Sequence, residues 1–383
     1  MSLSLPDFDL RDEQREFRDM LRGFFEEHAP MTRVREVMAG EDGISPELWE
    51  RAGREFGLAG LAIPEDCGGQ GFGLPELALA LEEAGRSLAP IPLLASAGLA
   101  ARAVSAVAPG KAGAEWLGGI AEGEAATLAW VEPAGDWGLA AIGSEFRESG
   151  GGLRIDGRKS FVVGAREAQR FFVVAREAGS QGLAGLGLFA VEAGAEGLDL
   201  QPLESLDPTR KLARLELSDV SARPVGVPGA AGLALERSLE EAMALSCAEM
   251  VGSMQKVLES AVDYAAGRYQ FARPIGSFQA IKHKCADMLI DFEGARTAAR
   301  AAVVAAEEDD PERSVLASVA KAHAGPAFVR MATENVQIHG GVGYTWEYDA
   351  HLFFRRAKSS EILLGDAFLQ RERLARSLVA GPA

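Results

Sequence analysis

Two segments of the chain place cationic, amide and aromatic side chains where a phosphate-bearing ligand could bind. In the first segment, Arg268 is followed closely by Gln270 and Phe271, and then by Phe278 and Gln279. An arginine side chain carries five donors in a fixed geometry that suits a pyrophosphate. Phe278 and Gln279 stand in the first turn of a predicted helix, where the helix dipole favours an anion. These residues therefore form a candidate binding segment for an anionic cofactor.

The second segment lies further along the chain, where Gln337 precedes the glycine pair Gly340 and Gly341. Glycines allow a phosphate to approach the backbone N–H groups closely. The same pair could instead serve only as a helix C-cap and turn. The binding interpretation is favoured because Arg268 and Gln279 supply matching groups in the first segment.

Residues of the types that bind metals are scattered. Cys67, Cys247 and Cys285 form no CxxC pattern, and the five histidines form neither HxxxH nor HExxH. The GxGxxG and GxxxxGK[ST] patterns are also missing from the sequence. We therefore predict no metal site, no disulfide framework, and no Rossmann or P-loop nucleotide site.

The charge balance excludes a further class of partner. The net charge is -17, whereas binding to nucleic acid needs clustered Lys and Arg. No uninterrupted apolar stretch reaches the roughly 18 residues of a membrane span. The first residues, MSLSLPDFDLRDEQREF, lack a basic segment followed by an apolar core, so they predict no secretion signal. With so few cysteines, a cytoplasmic location is expected.

The spacing of apolar residues divides the chain into three parts that would position these segments. Helical periodicity holds at first, with Ser45 as a predicted N-cap, Pro46 in the first helical position and Gly57 as a stop signal. Short alternating runs then indicate strands, and Asp156-Gly157 between two of them predicts a type I′ hairpin. Helical periodicity returns in four segments, 233–268, 277–308, 311–339 and 359–379, with Ser277 as an expected N-cap.

The sequence thus predicts an α+β chain of three domains. They are an N-terminal helical domain (1–122), a middle antiparallel β-barrel or sandwich (123–224) and a C-terminal four-helix bundle (225–383).

Three motifs in this order resemble the acyl-CoA dehydrogenase family. Residues 64–71 (PEDCGGQG) resemble its PExYGGxG turn, with Cys67 in place of Tyr. Residues 268–279 (RYQFARPIGSFQ) resemble its RxxFGxPIGxxQ segment, with Ala272 in place of Gly. Residues 337–348 (QIHGGVGYTWEY) resemble its QxHGGxGYTxEY segment. The resemblance covers nearly the whole chain.

The resemblance implies FAD as the cofactor, an acyl-CoA substrate, and an electron-transfer flavoprotein or similar acceptor. It implies at least a dimer, because part of the site would reach the FAD of a neighbouring subunit. The assembly would be a dimer or a tetramer, and it could include a second homologous subunit. The residues it assigns to that part are Arg268, Gln270, Phe271, Phe278, Gln279, Gln337, Gly340 and Gly341.

On the flavin-ring side, the resemblance assigns cofactor binding to Glu132, Phe161, Val163 and Asp366. Glu132-Pro133 is retained from the family's TEPGAGSD segment, and Phe161 keeps an aromatic residue in its KxWIT segment. Val163 stands where the family usually has a Thr that can bond the flavin. Phe161 could alternatively be only a core aromatic residue of a strand.

The catalytic base of the family has no direct counterpart in this sequence. Most members carry a Glu where this chain has Leu364, and a minority carry it where this chain has Ala242. Glu241 is the nearest carboxylate by count, but one residue rotates a helical side chain by about 100°. Glu241 could also be an exposed charge in an acidic run, and Asp366 and Glu361 are further candidates.

Three functions follow from this resemblance. The first is an FAD-dependent acyl-CoA dehydrogenase, which would desaturate a CoA thioester at its α,β bond with hydride transfer to flavin N5. The second is a subunit without a base that completes the FAD site of a hetero-oligomeric dehydrogenase. The third is altered flavin chemistry on the same fold, such as elimination from a thioester or oxygenation.

Overall fold

The computed structural model describes residues 10–380, and its contacts divide the chain into two compact units. Among the described residues, the helical unit comprises 10–34, Leu74–Ala89 and 243–380, and the barrel unit comprises Arg35–Gly73 and Pro90–Ala242. Residues 1–9, on which the argument about a secretion signal depends, lie outside the described residues. From residue 10 to residue 380, no helix combines the length and the apolar character needed to cross a membrane.

The first part of the chain is helical, as predicted. Its α-helices are α1 (Asp12–His28), α2 (Met31–Ala39), α3 (Pro46–Trp49), α4 (Leu74–Arg86), α5 (Ala101–Val107) and α6 (Ala114–Ala121). The Ser45 hydroxyl accepts a hydrogen bond from Leu48 N at 3.2 Å, with Pro46 in the first helical position. Gly57 adopts φ 78°, a left-handed conformation that ends the π-helical extension Glu50–Glu55. These cap and stop predictions are confirmed.

The middle part forms a seven-stranded sheet. Its strands are β1 (Ala126–Ala129), β2 (Glu145–Ser149), β3 (Gly152–Val163), β4 (Arg170–Glu177), β5 (Leu186–Glu192), β6 (Leu198–Leu203) and β7 (Leu212–Val225). Pairings of β2 with β3, β3 with β7, β7 with β5, β5 with β4 and β4 with β2 close the sheet into a barrel. The sheet is mixed rather than purely antiparallel, since β4 pairs parallel with β1 and β2.

The predicted hairpin at Asp156-Gly157 is wrong. Both residues lie inside β3, at a register shift in its pairing with β7. The β2–β3 connection lies earlier, where Ser149 pairs with Gly152 around Gly150 and Gly151, both at positive φ. Gly157 is required for a different reason, because a Cβ there would come within 2.8 Å of the Ser144 backbone and closer to its side chain. The barrel interior is filled by apolar residues, including Phe171, Phe189 and Leu215.

The last part of the chain has five α-helices between residues 232 and 380, where the sequence predicted four. They are α7 (Gly232–Gly267), α8 (Gln279–Glu307), α9 (Arg313–His339), α10 (Ala350–Ile362) and α11 (Ala367–Ala380). The segment predicted as one helix at 359–379 is broken, since Leu364 and Gly365 adopt φ 64° and 93°. The N-cap of α8 is Phe278 rather than Ser277, whose hydroxyl donates to Pro274 O at 2.7 Å.

Close packing of α4 against α7 organises the helical unit. A Cβ added to Gly252 would lie 1.7 Å from Glu82 O, and one added to Gly85 would lie 2.2 Å from Glu249 O. Because backbone atoms set these limits, only glycine permits this approach.

The order of helices, sheet and helices predicted from the sequence is confirmed. The boundaries of the three predicted domains remain a prediction.

Candidate functional site

The segment after α7 forms a tight hairpin that carries the first set of predicted binding residues. Strand β8 (Tyr269–Gln270) pairs antiparallel with β9 (Arg273–Pro274). The two residues between them, Phe271 and Ala272, adopt φ 53° and 62°. Positive φ at both central positions is the conformation of a type I′ turn, which normally carries Asn-Gly. Ala272 therefore occupies a position whose backbone favours glycine.

This hairpin turns its side chains outward. Arg268, Gln270 and Gln279 are exposed, and the Phe271 side chain is 86% exposed. Phe278 is half-buried, with the Arg273 guanidinium carbon 4.0 Å from its ring centre. As the N-cap of α8, Phe278 supplies no side-chain hydrogen bond, and the first two helical residues, Gln279 and Ala280, are exposed. Such a helix start suits an anion.

The end of α9 carries the second set. Gln337, Gly340 and Gly341 are exposed. Gly340 ends α9 with φ 65° and ψ -144°, and its N–H donates to Gln337 O. A Cβ added to Gly340 or Gly341 would meet no atom within 4 Å, so the backbone stands open. Both interpretations of the pair therefore hold, since it caps the helix and also leaves the backbone accessible.

A stack of aromatic rings brings the two segments together. Tyr264, one turn before Arg268, lies against His339 with ring centres 4.1 Å apart and planes 25° apart. Tyr348 packs edge-on against both rings. Burial lowers the pKa of His339, although its Nδ1 hydrogen bond to Asn335 O at 2.9 Å acts in the opposite direction. His339 is thus a packing ring between the two segments.

In the barrel unit, Glu132 anchors a buried lysine that the sequence did not single out. Lys159 is fully buried, and its Nζ lies 2.9 Å from Glu132 Oε1. The same oxygen accepts hydrogen bonds from Gly143 N, Ser144 N and Ser144 Oγ at 2.7 to 3.0 Å. Burial lowers the pKa of Lys159 to about 8, partly offset by Glu132. Burial alone would raise the pKa of Glu132, but Lys159 and Ser144 outweigh it and lower the pKa.

Beside this ion pair, the strand bulges where ring-side residues were predicted. Phe161 adopts φ 57°, remains 37% exposed and lies 6.4 Å from the Trp137 ring. Phe161 is therefore not a fully buried core aromatic. Val163 is buried, and its carbonyl accepts a hydrogen bond from Thr127 Oγ1 at 2.7 Å. The buried Ser160 Oγ has no hydrogen-bond partner among the described residues.

The turn between α10 and α11 contains the position of the family's usual base. Leu364 is buried there, and its carbonyl accepts from Gln370 Nε2 at 3.0 Å. The fully buried Lys321 donates to Ser360 O at 3.0 Å and Glu361 O at 2.8 Å, which caps α10. Asp366 is exposed and caps α11, accepting from Leu369 N at 2.9 Å. The turn is rigidly held but presents an apolar side chain.

The other candidate bases are also committed to partners. Glu241 is buried, so the alternative that it is an exposed surface charge is wrong. Its Oε2 accepts from Arg102 Nε at 2.7 Å. Ala242 is buried and apolar. Glu361 pairs with Lys358 at 2.7 Å.

Residues with positive φ concentrate in these motifs. Seven non-glycine residues have positive φ in residues 10–380, and four of them are Phe161, Phe271, Ala272 and Leu364. Such strained backbone tends to persist at functional sites. In the same part of the chain, no group of three or more His, Cys, Asp or Glu residues could hold a metal ion.

Comparison with known proteins places these motifs in context. Residues 11–124 match the acyl-CoA dehydrogenase N-terminal domain, and residues 231–379 match the C-terminal domain. Acyl-CoA dehydrogenase IpdE2 of Mycobacterium tuberculosis (strain ATCC 25618 / H37Rv) is 32% identical, over 92% of this chain and 93% of the relative.

Solved structures agree over nearly the full length. A variant of the Tcur3481-Tcur3483 steroid ACAD is 32% identical with a TM-score of 0.85, covering 96% of this chain and 98% of that chain. The ChsE4-ChsE5 complex from Mycobacterium tuberculosis is 28% identical with a TM-score of 0.88, covering 98% of this chain and 100% of that chain.

Proposed function

Since the chain belongs to the acyl-CoA dehydrogenase family of oxidoreductases, we propose that it takes part in the FAD-dependent α,β-desaturation of a CoA thioester. One observation carries this proposal. The aromatic stack of Tyr264 on His339 brings the Arg268 hairpin and the open backbone of Gly340 and Gly341 into one neighbourhood. A guanidinium, a helix start and an open glycine backbone together match a diphosphate.

The residues present fit FAD on three grounds. Nothing lies within 4 Å of a Cβ position on Gly340 or Gly341, so a phosphate can approach the backbone of this pair closely. The exposed ring of Phe271 and the half-buried ring of Phe278 offer apolar faces beside Arg268. The buried Ser160 Oγ lacks a partner among the described residues, and a polar edge of the cofactor would satisfy it. When bound, FAD supplies the acceptor for the electron pair that leaves the thioester.

The barrel unit holds its part of the site in a fixed shape. The Glu132 carboxylate neutralises buried Lys159 and also accepts from Ser144, which fixes the strand just before Phe161. Thr127 fixes the carbonyl of Val163 in the same strand. These contacts would hold the Phe161 ring in one position. A bulge without such hydrogen bonds would leave the position of its side chain less well defined.

We propose an oligomer as the working form. The binding residues Arg268, Gln270, Phe271 and Gln337 are exposed in the single chain, and a neighbouring subunit would cover the cofactor against them. Two of the similar structures carry names of paired proteins, Tcur3481-Tcur3483 and ChsE4-ChsE5. The word steroid in the name of the first makes a bulky polycyclic acyl-CoA the first substrate to test. An electron-transfer flavoprotein or a similar acceptor would take the electrons onward.

A second candidate function is that of a subunit without its own base. Leu364 and Ala242 stand at the two base positions, and neither side chain can accept a proton. Glu241, the nearest alternative, is buried and bound to Arg102 at 2.7 Å. In this case a homologous subunit would supply the carboxylate, and this chain would complete the cofactor site.

Purification of the chain alone tests both candidates. Size-exclusion chromatography with mass analysis gives the assembly, absorbance gives flavin content, and an artificial electron acceptor reports oxidation of acyl-CoA. We expect a yellow oligomer. Turnover by the chain alone would support the first candidate and exclude the second. Turnover that requires a second, Glu-bearing subunit would support the second. A monomer that retains no FAD with or without such a subunit would contradict both.

A further inference from the structure

A cavity in the helical unit lies apart from the residues assigned to the cofactor. Its volume is about 240 Å³, and it is lined by residues at and just before the start of α1, by α4, by the last turns of α8 and by one residue of α7. Most of its wall is apolar, contributed by Ala78, Leu79, Ala248, Val303 and Val304. It contains none of the residues assigned to FAD, to the thioester or to the base.

One polar group in this wall is unusual. Glu82 lines the cavity and is only 8% exposed. Burial raises its pKa to about 7, while the charge of Arg300 acts in the opposite direction. No described residue donates a hydrogen bond to its carboxyl group. Buried carboxyl groups are normally hydrogen-bonded, and a donor bound in the cavity would supply this bond.

Neighbouring carboxylates differ from Glu82 in this respect. Glu83 receives two hydrogen bonds from Arg22, at 3.0 and 2.7 Å. Glu307, which also lines the cavity, accepts from Leu74 N at 2.7 Å. Glu308 also lines the cavity but is exposed, so the buried carboxyl group left for a ligand is Glu82.

The charges around the cavity constrain what could enter. Arg11 and Arg300 line it together with Glu307 and Glu308, so the two signs balance apart from Glu82 itself. A cation would meet the two arginines, and an anion would meet the three carboxyl groups. The cavity volume corresponds to roughly eight water molecules at about 30 Å³ each.

We infer that this cavity is a binding site for a small uncharged alcohol or phenol. The apolar part of the ligand packs against the aliphatic walls, and its hydroxyl donates a hydrogen bond to Glu82. Burial of the body supplies the affinity, since about 25 cal/mol is gained per Å² of apolar surface removed from water. The hydroxyl supplies the specificity, because it satisfies a buried acceptor that an alkane would leave unsatisfied.

Benzyl alcohol is a suitable probe, because it has eight non-hydrogen atoms and one hydroxyl, and toluene is its match without the donor. Binding of each is measured by calorimetric or NMR titration of the purified full-length protein at pH 8. We expect saturable binding of benzyl alcohol that Glu82→Leu weakens at least about tenfold, as loss of a hydrogen bond to a charged group implies. Toluene binding should not weaken in Glu82→Leu.

A cavity-filling variant completes the test. Val304 is half-buried in the wall, and Val304→Phe should abolish binding of both compounds. Glu83→Gln serves as the matched control, since Glu83 does not line the cavity. The inference is overturned if benzyl alcohol does not bind saturably, or if Glu82→Leu binds it as tightly as the unmodified protein. The Glu82→Leu comparison stands even if Val304→Phe fails to fold.

Discussion

Glu241 accepts a hydrogen bond from Arg102 Nε at 2.7 Å, with its side chain only 3% exposed and that of Arg102 18% exposed. Arg102 also donates to Ala62 O at 3.3 Å, just before the Pro64–Gly71 loop. Arg237 approaches the second carboxylate oxygen at 3.5 Å. Glu241 is therefore a buried partner for two cations, which is a structural role rather than that of a free base.

The first prediction follows from this ion pair. Glu241→Gln leaves a largely buried guanidinium without its charge partner, which typically destabilises a protein by about 3–5 kcal/mol. We expect the urea unfolding midpoint to fall sharply, whereas exposed Glu236→Gln should leave it unchanged. If Glu241→Gln instead retained full stability and lost 10²–10⁴-fold in acyl-CoA oxidation, the size typical of a lost general base, Glu241 would be catalytic after all.

The second prediction concerns the cofactor. Arg268→Ala removes the exposed guanidinium beside the Phe271 hairpin, and a charge-assisted hydrogen bond contributes about 1.5–3 kcal/mol. We expect the affinity for FAD to fall by at least about tenfold, so that less flavin remains bound after extensive dialysis. Arg51→Ala, which removes an exposed arginine in the barrel unit, is the control and should retain its flavin. Equal flavin retention in both variants would remove Arg268 from the site.

The two segments proposed to bind the cofactor could be predicted from the sequence because their chemistry is local. Arg268, Gln279 and the Gly340–Gly341 pair each lie at a helix end, where capping rules and dipoles act over a few residues. The Lys159–Glu132 pair could not be found in this way. Its members belong to different stretches of chain, and only the folded barrel brings their side chains together.

The same contrast explains why β2 and β6 leave little signal in the sequence. Strands β3, β4, β5 and β7 carry apolar runs that fill the barrel, whereas β2 and β6 are mostly exposed. An exposed strand has no apolar period to detect, so its pairing comes from its neighbours. The break between α10 and α11 was missed because Leu364 is a helix-favouring residue held at φ 64° by its surroundings.

The third prediction tests the strained turn directly. Ala272 adopts φ 62° in a type I′ position, and a left-handed conformation costs an L-residue about 1–2 kcal/mol. Ala272→Gly removes that cost, and we expect a higher urea unfolding midpoint. Ala286→Gly, at an exposed position within α8, should have the opposite effect by about 1 kcal/mol. A fall in stability for both variants would show that the turn carries no strain.

The fourth prediction concerns pH. Burial raises the pKa of Glu82 from 4.5 to about 7, with Arg300, Arg296 and Arg18 opposing it and Glu83 adding to it. Between these values the unfolded chain releases a proton that the folded chain keeps, so stability falls as pH rises. A shift of this size corresponds to about 3 kcal/mol at most. Relative to Glu82→Gln, the unmodified protein should lose stability between pH 4.5 and 7 and no more above that. If the free energies of urea unfolding of the two proteins change in parallel between pH 4.5 and 7, the prediction is contradicted.

The last prediction separates a self-sufficient enzyme from a completing subunit. Leu364→Glu places a carboxylate at the family's usual base position, in a turn that Gln370 and Lys321 already hold. Desolvation at this buried site would raise the pKa of the new side chain toward that of a working base. If the thioester lies against this chain's own helices, the variant should exchange the α-proton of acyl-CoA with deuterated solvent, as mass spectrometry detects.

Leu363→Glu is the matched control for this substitution. Leu363 is equally buried, but its backbone has φ -55° rather than 64°, so its side chain leaves the turn in another direction. We expect no exchange from Leu363→Glu. If Leu364→Glu also gives none, in protein that still carries FAD and binds acyl-CoA, then the thioester lies against a different subunit. The carboxylate would then have to come from that subunit, and the role of this chain would be to complete the cofactor site.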